Sequence, residues 1–272
     1  MELLTYTFVQ YAFIGGVAMA VLTGMLGPFV VQSRQSIASD MFAHVALAGI
    51  GGALLVGVGP WWGALPALIF VSTLIWWLLN SGRYSPDALA MFFLSGGLAL
   101  ALAFVHVAQD TVFSFENYLF GSILTLTFID LVAILVSTSL VVVVVWYFWY
   151  PLLGATQSPR YLIPFRRTPQ VVQLLFFWLL AIVVWVGIKT IGGLLIGALL
   201  VIPVLTARSW ASSFKQLVVL STLVSVFSVS LGLITALYVD LPPSSLIIGM
   251  AIGLFILQAG RIQCSTKQAG VV

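Results

Sequence analysis

Residues 39–59 read SDMFAHVALAGIGGALLVGVG. Beyond His44 every residue of this stretch is apolar or glycine. The apolar segment it opens, 40–58, is about as long as the ~20 residues a helix needs to cross a bilayer. An aspartate and a histidine, Asp40 and His44, stand four residues apart at its head. On a helix that spacing puts both on one face, which Leu47 and Gly51 continue.

The rest of the chain repeats the apolar theme. It has 272 residues, 62% hydrophobic and 6% charged, with a mean hydropathy of +1.19. A soluble domain carries about 25% charged residues, so the composition predicts a polytopic membrane protein. Spans must be helical, because lipid cannot pair a free backbone N–H or C=O. The strict alternation of a membrane β-barrel is missing. Apolar segments fall at 8–32, 40–58, 61–80, 86–107, 127–150, 171–188, 191–207, 216–238 and 244–260. A short interfacial or re-entrant piece fits 112–124. The KTIGG break at 189–193 is the only interruption of 171–207, so the expected number of spans is eight or nine. The expected fold class is all-α: a single polytopic membrane helix bundle over 1–272.

The basic residues orient the bundle. With the N-terminus outside, nine of the ten Lys and Arg residues fall on the cytoplasmic side and only Lys189 falls outside. This is the positive-inside pattern. It places the C-terminus in the cytoplasm and makes the polar stretch 154–170 a cytoplasmic loop. The first residues lack a basic leader, so no cleaved signal peptide is expected. The single cysteine, Cys264, permits no internal disulfide and no thiolate cluster. A formal charge of +3 on so apolar a chain sets topology and does not suggest nucleic acid.

An ionised Asp near the centre of a membrane helix costs about 2.5–3.5 kcal/mol on insertion scales, and such residues face a bundle interior or a watery path. A carboxylate oxygen with an imidazole nitrogen suits zinc, manganese or iron(II). Alternatively, Asp40 caps the helix start and His44 bonds a neighbouring carbonyl. His106 and Asp110 form a second such pair, read as interfacial. Ser85, Pro86 and Asp87 read as a helix start. Asp240 reads as a loop residue. The Trp61-Trp62 and Trp76-Trp77 pairs read as interfacial anchors. No phosphate-binding loop, serine-hydrolase elbow or H-E-x-x-H motif occurs, so neither an ATPase nor a recognisable catalytic set is encoded.

Four stretches in order resemble the permease subunits of zinc, manganese and iron ABC importers, the ABC-3 type. They are FVVQSRQSIASDMFAHVALAG at 29–49, YLFGSIL at 118–124, IGGLLIGALLVIPVLTARSWA at 191–211 and YVDLPPSSLIIGMAIGLFIL at 238–257. Arg34, Ser36, Asp40, His44 and Gly49 carry the first; Gly192, Pro203, Ala207 and Arg208 stand out in the third. The resemblance covers nearly the whole chain. It departs at Ala48, where the family has Pro, and at Pro243-Ser244, where a Gly is usual. It also departs in 154–170, which has no acidic residue, three prolines and three arginines.

The resemblance implies a type II ABC-importer-like bundle that is a transporter subunit and not an enzyme. It implies a bacterial-type plasma membrane location and a homodimer. Metal would pass by Asp40 and His44, delivered by an extracytoplasmic metal-binding protein. No cofactor is bound permanently. ATP belongs to a separate cytoplasmic ABC ATPase, engaged through the coupling loop at about 151–170. The alternative is a proton-coupled secondary metal transporter in which Asp40 and His44 form a relay.

Overall fold

Prolines and glycines punctuate the chain where apolar runs end. In the computed structural model, residues 6–108, 118–157, 169–239 and 241–268 are described. Among them are ten α-helices and no strand. They are α1 (Thr7–Gln32), α2 (Ser36–Val56), α3 (Pro60–Asn80), α4 (Pro86–Ala108), α5 (Phe128–Tyr147), α6 (Trp149–Gln157), α7 (Pro169–Thr190), α8 (Gly193–Arg208), α9 (Phe214–Ala236) and α10 (Pro243–Gln268). A single 3₁₀ turn, Ile123–Thr125, precedes α5.

Four helices begin on a proline, Pro60, Pro86, Pro169 and Pro243. The missing N–H costs nothing at that position. Ser85 Oγ accepts from the Ala88 N–H, so the expected Ser-Pro-Asp helix start is present. Helix α2 ends on Gly57 at φ 72°, a left-handed conformation that glycine adopts without a Cβ penalty. The Val58 N–H then reaches back to the Ala53 carbonyl.

Eight helices are long and apolar enough to cross a membrane. Helix α8, with 16 residues, is about 24 Å long, short of the ~30 Å hydrocarbon core. The expected choice between eight and nine spans therefore resolves into eight long helices and one shorter one. The reason lies above α8. Ile191, in the turn two residues before it, is fully enclosed, and the segment 118–127 sits on that turn. Ser122 N–H donates to the Lys189 carbonyl. Gly121 and Gly192 meet backbone to backbone at positive φ, and a Cβ on Gly192 would stand 2.3 Å from the Phe120 carbonyl carbon. Chain, not lipid, occupies the space that a longer helix would fill. Of the stretch expected to be interfacial or re-entrant, 118–124 packs on the α7–α8 turn, while 112–117 lie outside the described residues.

One expected segment, 127–150, is broken. Helix α5 stops at Tyr147, Phe148 leaves helical geometry, and α6 follows. Pro151 explains the break, since it cannot donate the bond that would continue α5. Trp149 anchors α6 on α1 and α9, its ring edge-on to Phe29 at 5.6 Å and 6.0 Å from Phe214. Of the expected coupling loop, 158–168, with Arg160, Arg166 and Arg167, lie outside the described residues.

Helix α1 is the central post, packed by α9, α8, α5 and α7. Glycines let it approach closely: a Cβ on Gly24 would meet the Thr222 backbone at 2.4 Å, and one on Gly27 the Leu200 carbonyl at 2.3 Å. Hydroxyls stitch the same seam. Thr23 and Ser225 Oγ atoms lie 3.1 Å apart, and Ser221 Oγ donates to the Gly24 carbonyl at 2.7 Å. Close small-residue contact with interhelical hydrogen bonds is how helices associate without a hydrophobic drive from water. Helix α2 packs likewise on α3, where Gly49 and Gly63 face each other's carbonyls, and on α4.

Because successive spanning helices reverse direction, with the short α8 counted among them, Arg34, Arg83, Arg208 and Lys215 gather at one end and Lys189 at the other. Trp61 does not behave as an interfacial anchor. It is 3% exposed and stacks on Trp185 at 4.4 Å, each indole N–H donating to the other residue's carbonyl. Trp62 and Trp77 do face outward.

Candidate functional site

Helix α2 begins at Ser36, so Asp40 lies one turn inside it and caps nothing. The stretch Ser36–Ser39 is helical although it precedes the expected apolar segment. The turn before it bends through Arg34 at φ 56°, an unusual conformation for a residue with a side chain. Asp40 is exposed and His44 half-buried. The two are near enough for each charge to act on the other.

Asp40, Ala43, His44 and Leu47 of α2 line a small depression, closed by Leu119 from the segment 118–124 and Gly193 from α8. Gly193 lines it, and two further glycines, Gly97 and Gly197, pack against its residues. A Cβ on Gly97 of α4 would stand 2.9 Å from the His44 carbonyl carbon, so α4 lies directly against the backbone of that residue. A Cβ on Gly193 would reach Ala43 at 3.4 Å. A Cβ on Gly197, one turn on, would reach Asp40 Oδ1 at 2.3 Å. His44 Nδ1 is buried and has no hydrogen-bond partner. An orphaned buried nitrogen beside a carboxylate costs stability unless something completes it. The expected bond from His44 to a neighbour's carbonyl is thus not made through Nδ1.

Carboxylate and imidazole are two of the donors a divalent transition metal accepts. Among the described residues no third His, Cys, Asp or Glu joins them. One chain therefore brings two such donor groups together, fewer than the four of a tetrahedral set. The structure brings together the two residues singled out from the sequence, and also Leu47. It sends Gly51 elsewhere, against Phe104 of α4. Gly97, Gly193, Gly197 and Leu119 were not singled out for the site. Leu119 lies in the family-like stretch YLFGSIL, and the Gly193–Gly197 spacing inside IGGLLIGALL marks close packing without naming the neighbour.

A second polar cluster was missed altogether. Asp130 is 6% exposed at its side chain and lies 2.5 Å from Lys189 Nζ. It accepts from the Thr127 N–H and hydroxyl, while Thr127 Oγ1 accepts from the Asp130 N–H, a capping box at the start of α5. Lys189 Nζ also lies 4.8 Å from the Trp61 ring centre. His106 is exposed at the end of α4; Asp110 and Asp240 lie outside the described residues.

An all-α bundle of membrane-spanning length, with a carboxylate–imidazole pair lining a small protein-walled depression, defines an integral membrane protein. Its class is a transport protein, and the chain belongs to the ABC 3 transport family, whose profile matches residues 5–261. It is similar to the "High-affinity zinc uptake system membrane protein ZnuB" of Buchnera aphidicola subsp. Baizongia pistaciae, 28% identical over 243 residues, 88% of this chain and 92% of that one. It is similar to the "Manganese transport system membrane protein MntC" of Halalkalibacterium halodurans, 23% identical over 94% of this chain and 88% of that one. Among solved structures it resembles "PsaBC from Streptococcus pneumoniae in complex with Fab", with a TM-score of 0.83 at 22% identity, covering 94% of this chain and 92% of that one. The family and fold expected from the four stretches are therefore those observed.

Proposed function

We propose that this chain is the membrane permease subunit of an ATP-driven importer for a divalent transition metal, zinc, manganese or iron(II). In this reading Asp40 and His44 hold the passing ion. One observation carries it: an aspartate and a histidine, one turn apart inside a spanning helix, line a common depression, and the imidazole keeps a buried nitrogen without a partner. Names of similar proteins that refer to zinc and manganese support the cargo class.

The assembly follows from what the chain lacks. It has no nucleotide-binding loop, so hydrolysis belongs to a separate cytoplasmic ATPase that engages the segment about 151–170. A binding protein delivers metal from the other side. Two ligands per chain are half of a four-coordinate set, and a two-fold homodimer supplies the other half. The basic end, with Arg34, Arg83, Arg208 and Lys215, is the cytoplasmic one. The bundle is one transmembrane domain in a bacterial-type plasma membrane, with its C-terminus inside.

The test is metal uptake into proteoliposomes containing the permease and its ATPase, with and without ATP. ATP-dependent uptake that survives collapse of the proton gradient supports the reading. Uptake that needs the gradient and ignores ATP replaces it with the proton-coupled alternative. In either case Asp40→Asn and His44→Leu each abolish transport if the pair holds the ion.

A further inference from the structure

Helix α8 crosses α2 at Asp40 with only a glycine in between. We infer that Gly197 is a positioning residue for the metal site: its missing side chain is the seat of the Asp40 carboxylate, and so it sets where that ligand stands relative to His44. The inference rests on the reading of Asp40 and His44 as the ion-holding pair.

The geometry is specific. A Cβ at 197 would stand 2.3 Å from Asp40 Oδ1 and 3.3 Å from its Cγ. Real Cβ atoms do not come that close, so something must move. Ser39 Oγ, 3.1 Å from the same point, is tied to the Ser36 carbonyl at 2.9 Å and closes one way out. The carboxylate itself must turn, and an aspartate has few rotamers in which to do so. A turned carboxylate stands in a different relation to the imidazole. Gly193, one turn earlier on α8, lines the same depression. That face of α8 is thus the backbone wall of the site, and the glycine at 197 is the part of it that touches a ligand atom.

The contrast with other glycines is sharp. Gly249 and Gly253 of α10 have nothing within 4 Å of an added Cβ. A methyl there meets open space, which makes Gly249→Ala a matched control for the substitution itself.

The full chain in lipid nanodiscs, titrated with Co²⁺ as a spectroscopic stand-in for the cargo, tests this. Gly197→Ala is expected to weaken Co²⁺ binding by at least about tenfold, the scale of changes that disturb a ligand's orientation. It should also shift the visible ligand-field spectrum of what still binds. In an Asp40→Asn background the same substitution should cause no further loss, because it acts through that carboxylate. Gly249→Ala should bind as wild type does. Wild-type affinity and spectrum in Gly197→Ala would overturn the inference while leaving the metal reading intact, provided Asp40→Asn still loses binding. Unchanged binding in Asp40→Asn would sink the metal reading itself. Should Gly197→Ala fail to fold, Asp40→Ala/Gly197→Ala removes the crowding carboxylate and is expected to fold; a double variant that still misfolds would also overturn the inference.

Discussion

Lys189 Nζ lies 2.5 Å from Asp130 Oδ1, tying the end of α7 to the start of α5. The pair stands beside the short α7–α8 turn, where the segment 118–124 rests on Ile191 and Gly192. A charged bond at a nearly buried carboxylate is therefore part of what holds that segment down. Lys189→Met leaves Asp130 without its cation. The expected cost is about 1.5–3 kcal/mol, the usual worth of a hydrogen bond to a charged group. Thermal unfolding in detergent measures it, and Asp130→Asn/Lys189→Met should recover part of the loss because no lone charge remains. Equal melting of wild type and Lys189→Met would remove the pair from the account of stability.

The proposed role of Asp40 and His44 makes a directional prediction for pH. Imidazole binds a cation only when neutral, so protons compete with metal at His44. Initial uptake rates in proteoliposomes should fall as the outer pH is lowered from ~8 to ~5, the range in which histidines take up a proton. The dependence should be strongly reduced in any residual activity of His44→Leu. An identical pH profile in that variant would place the sensitive group elsewhere.

Neighbouring glycines of α4 give an internally controlled packing test. A Cβ on Gly97 meets the His44 backbone at 2.9 Å, whereas one on Gly96 meets nothing within 4 Å. Gly97→Ala should destabilise by about 1–3 kcal/mol through overpacking. Gly96→Ala should be neutral or slightly stabilising, since alanine favours the helix. Melting temperatures of the two variants in the same detergent check this. The same loss in both would contradict the packing described.

Orientation is tested with cysteines in a Cys264→Ser background. Val58 and Ser81 are exposed at opposite ends of α3. A membrane-impermeant thiol reagent added to intact cells should label Val58→Cys and spare Ser81→Cys. The reverse pattern would turn the bundle over, and with it the assignment of the ATPase side.

Hydropathy is a local property, and what is local could be read from the chain alone. Eight runs from 8–32 to 244–260 became long helices within a few residues of their expected ends, because lipid demands a helix wherever about 20 apolar residues adjoin. Pro60, Pro86 and Pro243 started helices for the same local reason, and four ordered stretches were enough for the family. Asp40 and His44 were legible because charge is conspicuous in an apolar run and their four-residue spacing needs only helical geometry. What the sequence could not decide was which helix faces which. Asp130 is as conspicuous in its apolar run as Asp40 is, but its partner is not in the run: Lys189 is brought to it by α7. Trp61 reads as an interfacial anchor until Trp185 covers it. Pro151 ends α5 early, but only packing against Phe29 and Phe214 makes α6 a separate element. Gly197 is one glycine among 24 until α8 crosses α2 and its missing side chain becomes the space that Asp40 fills. Such contacts join residues far apart in the chain, and no periodicity records them. They exist only because interhelical distances, set by glycines and hydroxyls along α1, α2 and α8, let particular backbones touch.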